Sequence, residues 1–435
     1  MATPKVEPRT LSGFRDYLPD VMLPRQRMLE RVAAVFESYG FAPLSTPALE
    51  YAECLLGKYG DEGDKLLYRF RDNGDRDVAL RYDLTVPLAR LMGMNRDLPK
   101  PFKRYHIAPV WRAERPGRGR FREFTQCDVD IIGADSLMAD AECIAVGASV
   151  LRALGVERFE IRVNNRKLLT AMLDMVRVEG EAALGVLRTI DKLPKIGEAA
   201  TRELLRTENA LDDAAVDTVF RFLALDARSP GTLEAFFEGH ATGLLGASEL
   251  RAVLQAVAEQ GFEGSVAVDL SIARGLDYYN GTIYETFVGG LESIGSVMSG
   301  GRYDSLLGLY TGEAMPAVGI SLGVDRLFSG LQELGLIEAR ASVTQALVTV
   351  FDDATRPQSY AIANTLRAAG VSAEVFLGAG KLKKQFTYAD RKQIPWAVVA
   401  GPDELARGEV TLKHLKTGEQ HTLPVDALAA RIRGA

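Results

Sequence analysis

Sixteen residues from Trp111 to Gln126 hold five arginines and two glutamates, with Pro116, Gly117 and Gly119 among them. Arginine keeps its charge at every working pH, and its planar fork matches phosphate oxygens in pairs. A loop of this composition suits a polyphosphate; the plainer reading is a solvated arginine loop, since arginines mostly lie at surfaces. Arg104 to Val110 and Phe124 to Ile132 on either side alternate as extended chain does, which predicts two antiparallel strands joined by the cationic loop.

On the second of these strands Phe124, Gln126, Asp128 and Asp130 share one face, and Thr125, Cys127, Val129 and Ile131 share the other. The latter face is apolar and belongs on a core. The former carries an aromatic plate, an amide and two carboxylates, a row that is costly to bury unless a ligand or partner satisfies it; an exposed edge face would need neither. A second cluster, Ala273 to Tyr284, packs Arg274, Tyr278 and Tyr279 between two strands and reads equally as a binding element or as a tyrosine-rich turn. A third joins Ser299-Gly-Gly-Arg-Tyr-Asp304 to Gly319 through Arg326. Its paired glycines let backbone approach a ligand, although a surface arginine on a helix is the commoner identity for Arg326. No P-loop, GxSxG elbow or HExxH occurs. The four histidines are dispersed and the three cysteines form no CxxC, so neither a histidine triad nor a zinc site is expected.

The elements around these residues are legible in outline. A helix is predicted over Pro24 to Tyr39, closed by Gly40. An extended edge segment follows over Phe41 to Glu50. A hairpin turns at Asp72 to Asp75, and a helix runs from Asp83 to Met94. From Val163 to Phe262 strand signals thin out and helical spacing takes over. Strand character returns at Val266 to Leu270 and Thr282 to Val288, and a strand-to-helix unit covers Ala317 to Leu334. After a short polar join near Ala339 to Val343, the last ninety or so residues alternate strands and helices as an α/β domain does.

At 435 residues the chain has room for two or three domains, and 47% hydrophobic with 25% charged residues is ordinary globular composition. A net charge of −6 argues against a protein that coats nucleic acid indiscriminately. The N-terminus lacks the apolar stretch of a signal peptide, and no apolar run reaches transmembrane length, so a cytoplasmic protein without membrane contact is expected.

In their order along the chain these pieces resemble the histidyl-tRNA synthetases, a class II aminoacyl-tRNA synthetase family. The likeness runs through Gly13-Phe-Arg-Asp-Tyr-Leu-Pro19, Thr46-Pro-Ala-Leu-Glu50 (motif 1), Leu80 to Pro87, the cationic loop (motif 2), Arg274-Gly-Leu-Asp-Tyr-Tyr279 and Gly319 to Arg326 (motif 3). Leu382 to Asp390 and Ile394 to Gly401 resemble the anticodon-binding domain. The resemblance implies an α+β class II catalytic domain, an antiparallel sheet flanked by helices, over 1–335 with a helical insertion at 163–262. It also implies a C-terminal α/β anticodon-binding domain over 344–435, and dimerisation through motif 1.

The implied activity joins L-histidine to its tRNA through an ATP-derived histidyl-adenylate, with Mg²⁺ beside the phosphates and no metal held by the protein alone. By the same resemblance Arg112 would meet the α-phosphate and Glu114 the adenine or metal side. Phe124 would stack on adenine, and Arg120 and Arg326 would hold the γ-phosphate. Arg274 would sit where the carboxylate attacks. Asp83, Thr85 and Gln126 would bind the amino and carboxylate groups, and Asp130 and Tyr279, with Tyr278 nearby, would face the imidazole. The main rival is the synthetase-like regulatory subunit of the histidine-biosynthetic ATP phosphoribosyltransferase, which lacks the C-terminal domain and the signature arginine.

Two departures from the familiar bacterial pattern stand out. Asp83 and Asp130 replace glutamates, and Gly117 replaces a glutamine associated with reading the extra 5′ guanosine of histidine tRNA. Charging of tRNA with and without that nucleotide is expected to differ only weakly; a loss as large as in glutamine-bearing relatives would refute this.

Overall fold

A computed structural model of the chain describes residues 6–59, 63–117, 119–229, 231–273, 278–337, 342–378 and 380–434. The chain divides into two compact units, Met1–Arg15 with Met28–Leu336, and Asp16–Arg27 with Ile337–Ala435.

The large unit is built on an eight-stranded sheet. Its strands are β1 (Ala42–Pro43), β5 (Phe102–Trp111), β6 (Glu123–Ile132), β11 (Ala317–Gly323), β10 (Met298–Arg302), β9 (Thr282–Val288), β7 (Phe159–Asn165) and β8 (Val266–Val268), in that spatial order. Every internal pairing is antiparallel; only the two edge strands, β1 on β5 and β8 on β7, run parallel to their neighbours. The antiparallel class expected from the sequence is therefore present. β5 and β6 pair in unbroken register from Phe102↔Ile132 to Trp111↔Glu123, and the cationic loop is their connection. A small second sheet holds β2 (Leu49–Tyr51), β4 (Asp77–Leu80) and β3 (Arg69–Arg71). Its hairpin turns where Asp72 accepts from the backbone N–H groups of Gly74 and Arg76, both at 2.9 Å.

One face of the large sheet is apolar. Cys127, Val129 and Ile131 of β6 lie on it with Ile320 of β11, and the Met138–Ala153 helix packs there. Gly147 permits the approach: a Cβ there would stand 2.9 Å from Ile320 Cδ1. The opposite face is polar and lies under the Thr85–Met94 and Asp304–Thr311 helices, which pack on one another. Helices from Arg166–Met175 to Ala241–Glu259 form the insertion. β7 runs on to Asn165 as part of the main sheet, so helical structure starts three residues beyond Val163. The first helix spans Pro19–Ser38 and starts before Pro24, which lies inside it; the ring has a helical φ but cannot donate to the Asp20 carbonyl and crowds it.

The smaller unit carries a five-stranded sheet in the order β13 (Ala373–Val375), β12 (Ala346–Val348), β14 (Trp396–Val399), β15 (Glu409–His414), β16 (Gln420–Pro424). β12 is parallel to both neighbours and the remaining pairings are antiparallel. Ile362 and Leu366 of the Arg356–Ala368 helix close its core against Val348 and Val398.

Arg302, at the end of β10, ties the sheet to the Met138–Ala153 helix. Its Nε donates to both oxygens of Asp140 at 3.2 Å, Nη2 also meets that carboxylate, and both residues are buried. Removing one partner leaves a buried charge uncompensated. Arg302→Ala is expected to lower stability in urea unfolding by about 3 kcal/mol or more, while Arg302→Met with Asp140→Leu costs less than either single change. Equal losses from single and double variants would contradict this.

Candidate functional site

β6 runs through the interior of the sheet, between β5 and β11, so its polar face is enclosed. Cross-strand register sets each neighbour: Gln126 lies between Ala108 and Gly323, Asp128 between His106 and Ser321, and Asp130 between Arg104 and Gly319. Gln126, Asp128 and Asp130 are all buried, and an exposed edge face is excluded. Gly319 has to lack a side chain, because a Cβ there would lie 2.1 Å from Asp130 Oδ1. Gly301 is equally bare on β10: its Cβ would stand 2.4 Å from the Thr282 carbonyl and 3.0 Å from the Tyr279 ring.

Arg104, with no exposed surface, sets its Nη2 2.6 Å from Asp130 Oδ2 and also donates to the Leu84 carbonyl at 3.2 Å. Tyr303 donates its hydroxyl to Asp130 Oδ1. Burial pushes the Asp130 carboxyl up and Arg104 opposes the shift. Asp128 is pushed up to about 7, chiefly by burial, with Asp130 adding and Arg104 opposing. His106, across from it, is pushed down to about 3 by burial and by the Arg104 and Arg81 charges, and is neutral at working pH. Gln126 donates to Ser321 Oγ at 2.6 Å, while Gln126 Oε1 and Asp128 Oδ1 are buried without a hydrogen-bond partner.

Asp83 sits just ahead of the Thr85–Met94 helix. It accepts from the Val86 N–H at 3.0 Å, from the Tyr59 hydroxyl at 3.2 Å and from the Tyr278 hydroxyl at 3.4 Å; burial pushes its carboxyl up. Thr85 opens the helix and bonds the Tyr278 hydroxyl. The Tyr278 ring meets Tyr279 and Tyr303 edge-on, at 5.2 and 5.7 Å between centroids. Burial first, then the charges of Asp128, Asp130 and Asp83, push the Tyr279 hydroxyl far up.

At the loop end of the strands the Arg112 guanidinium lies 4.3 Å from the Tyr82 ring centroid and 5.1 Å from that of Phe124, and its Nε donates to the Tyr82 carbonyl at 3.1 Å. Arg120 and Arg326 line one cavity of about 770 Å³ with Arg158, Arg162, Asp269 and Glu285. Arg326 is held there through the Ser296 carbonyl at 2.6 Å. Arg112, Glu114 and Phe124 are not in that wall; the Glu114 carbonyl accepts from Arg122 Nε at 3.0 Å. Arg274 lies outside the described residues. Among the described residues no group of three or more His, Cys, Asp and Glu could hold a metal ion.

Sequence reading singles out neither Arg104 nor Tyr59 for this site, and it places Tyr303 in the Ser299–Asp304 cluster without giving it a role. Arg104 and His106 alternate on β5 in step with Asp130 and Asp128, so pairing the two strands residue by residue would have found Arg104. Tyr59 arrives from a distant segment and leaves no local trace, and the glycine-rich cluster around Tyr303 does not reveal that its hydroxyl meets Asp130.

A family model described as histidyl-tRNA synthetase matches residues 13–327, and one described as an anticodon-binding domain matches 345–434. A histidine–tRNA ligase of Wolinella succinogenes is 45% identical and one of Rhodopirellula baltica 43% identical, each alignment covering 99% of both chains. The crystal structure of histidyl-tRNA synthetase from Nostoc sp. PCC 7120 superposes with a TM-score of 0.87 at 34% identity, covering 99% of this chain and 100% of that one.

The buried Asp128 carboxyl makes stability depend on pH. Its raised value means that the folded state resists its ionisation, so the cost is absent below about pH 4 and grows until about pH 7. Asp128→Asn is expected to become more stable relative to the wild type across that window, by on the order of 4 kcal/mol. A difference in urea midpoints that stays flat from pH 4 to 8 would count against it.

Proposed function

The chain belongs to the histidyl-tRNA synthetase family, and from that premise we propose how its residues ligate histidine to tRNA. The enzyme is a histidine–tRNA ligase. It spends ATP to activate the histidine carboxylate as an adenylate and passes the histidyl group to the tRNA 3′ end. The observation that carries the residue assignment is the enclosed polar face itself, where Gln126, Asp128 and Asp130 are buried with Asp83, and tyrosine hydroxyls reach Asp83 and Asp130. Such a face suits a small ligand that brings N–H donors and an ammonium group.

In this assignment Asp83, with Thr85 and Gln126, holds the amino and carboxylate groups of histidine. Asp130 and Tyr279 face the imidazole, with Tyr278 beside them. A pocket built on hydrogen bonds rejects analogues that cannot make them by factors on the order of 10⁴. That discrimination needs no editing site, and the insertion serves as a clamp on the tRNA acceptor arm.

Attack of a carboxylate on the α-phosphate brings two anions together, so positive groups must offset the repulsion and the charge developing on phosphate oxygens. Arg112 and Arg274 take the α-phosphate, Phe124 stacks on adenine with Glu114 at its edge, and Arg120 and Arg326 take the γ-phosphate. Asp269 and Glu285, two of the five carboxylates that line the same cavity as those arginines, would suit a Mg²⁺ ligated mostly by phosphate oxygens. When bound, the ion would neutralise charge on the departing pyrophosphate. Neither step needs a side-chain nucleophile.

The partners follow. Leu49, Tyr51 and Phe70 of the small sheet are 39%, 52% and 48% exposed, and an apolar surface of this kind fits a homodimer interface around Pro43 to Tyr51. On the Leu382–Arg391 helix Gln385 and Ala389 point inward, leaving Lys383, Lys384 and Arg391 exposed beside Lys381; these four basic groups fit RNA. Lys392 contributes less, being paired with Glu374 at 2.7 Å. No helix among the described residues is long and apolar enough to cross a membrane, and the proposed site of action is the cytoplasm. The anticodon-binding match over 345–434 disfavours the regulatory-subunit alternative, which lacks that domain.

Aminoacylation of a histidine tRNA transcript is the test. Wild type is expected to charge it with histidine, and Arg112→Ala to charge it about 10² to 10³ times more slowly. Absence of charging by folded wild type would overturn the reading.

A further inference from the structure

The stretch from Ser12 to Arg15 has no role in the assignment above, yet it touches both elements that supply the cavity arginines. Arg122, at the end of the cationic loop, donates its backbone N–H to the Gly13 carbonyl at 2.9 Å and its Nη1 to the Ser12 carbonyl at 3.2 Å. Gly13 takes φ +84°, and a Cβ there would stand 2.9 Å from Arg122 Cγ and 3.0 Å from Pro116 Cγ. Two residues on, the Arg15 guanidinium carbon lies over the Phe121 ring, 3.5 Å from its centroid, and the guanidinium forms an ion pair with Asp325, a buried residue in the first turn of the Val324–Glu333 helix. The other oxygen of Asp325 accepts from the Thr125 N–H at 2.8 Å.

Phe121 and Asp325 are the chain neighbours of Arg120 and Arg326. The two cavity arginines share their wall with as many carboxylates as cations, Asp269 and Glu285 among them, and those carboxylates compete with a phosphate for each guanidinium. A preorganised phosphate site needs the spacing of the two arginines fixed beforehand.

We propose that Arg15 is a positioning residue for ATP: by clamping Phe121 to Asp325 it fixes the spacing of Arg120 and Arg326, so that both reach one phosphate chain. Arg15 itself touches no substrate. The proposal rests on the reading that Arg120 and Arg326 hold the ATP phosphates.

The test is histidine-dependent ATP–pyrophosphate exchange with ATP and histidine varied separately, in full-length wild type, Arg15→Ala, Arg15→Lys, Asp325→Asn and the Arg15→Ala/Asp325→Asn pair, with thermal melts alongside. Arg15→Ala and Asp325→Asn are each expected to raise the KM for ATP about tenfold or more while the KM for histidine stays within about twofold. The double variant is expected to be no worse than the worse single one. Arg15→Lys keeps the charge without the planar guanidinium and is expected to raise the ATP KM alone by a smaller factor; it serves as the readout should Arg15→Ala fail to fold. An unchanged ATP KM in folded Arg15→Ala or Arg15→Lys would overturn the proposal, as would ATP and histidine KM values rising together. Wild type that exchanges with no amino acid would instead sink the function itself. Arg120→Ala and Arg326→Ala with wild-type ATP KM would sink the phosphate assignment.

Discussion

Arg104 and Asp130 form an ion pair with almost no exposed surface, Nη2 to Oδ2 at 2.6 Å, and the polar face of the sheet depends on it. Two charges leave water only when geometry and further hydrogen bonds compensate. Here Tyr303 and the Leu84 carbonyl supply two such bonds, while Arg104 Nε and Nη1 are buried without a hydrogen-bond partner. The arrangement requires β5, β6 and β11 to hold one register, and it requires glycine at 319. Slipping β6 by one residue would drive Asp128 and Asp130 into the apolar face against the Met138–Ala153 helix, so the pair and the strand order stabilise each other.

Around that pair the site divides into two halves with opposite electrostatics. Three buried carboxylates and a tyrosine cluster make one half acidic and rich in acceptors, suited to an ammonium group and ring N–H donors. The loop and the Val324–Glu333 helix make the other half cationic, suited to phosphates. β6 carries both, with Asp130 toward one end and Phe124 toward the other, so a single strand sets the distance between the two halves. The Ser12–Arg15 segment touches both parts of the cationic half, the loop through Arg122 and the helix through Asp325.

The sequence makes some of this legible. Strict alternation from Phe124 to Ile131 separates an apolar from a polar face, and the structure encloses both. The hairpin at Asp72 and the strand at Thr282–Val288 are readable for the same local reason. Other features are not local. Phe159, Ile161 and Val163 alternate as a strand, but the leucine-rich helices that follow hide where β7 ends. Pro24 reads as a helix start because proline favours the first turn, and only neighbouring residues reveal that the helix begins at Pro19. Tyr59 reaches Asp83 through tertiary packing that no local pattern encodes, and the cluster at Ser299–Asp304 flags Tyr303 without revealing Asp130 as its partner. Motif resemblance, not periodicity, suggests Arg274, and that residue lies outside the described part of the chain.

The central claim is that the enclosed carboxylate face reads histidine. The most direct measurement is amino-acid-dependent ATP–pyrophosphate exchange across all twenty amino acids, for wild type, Tyr303→Phe and Asp130→Asn, each checked for folding by circular dichroism. Wild type is expected to exchange with histidine alone. Asp130→Asn is expected to raise the KM for histidine about a hundredfold, with Tyr303→Phe in between and the KM for ATP little changed in both. A folded Asp130→Asn variant with wild-type histidine KM would contradict the claim.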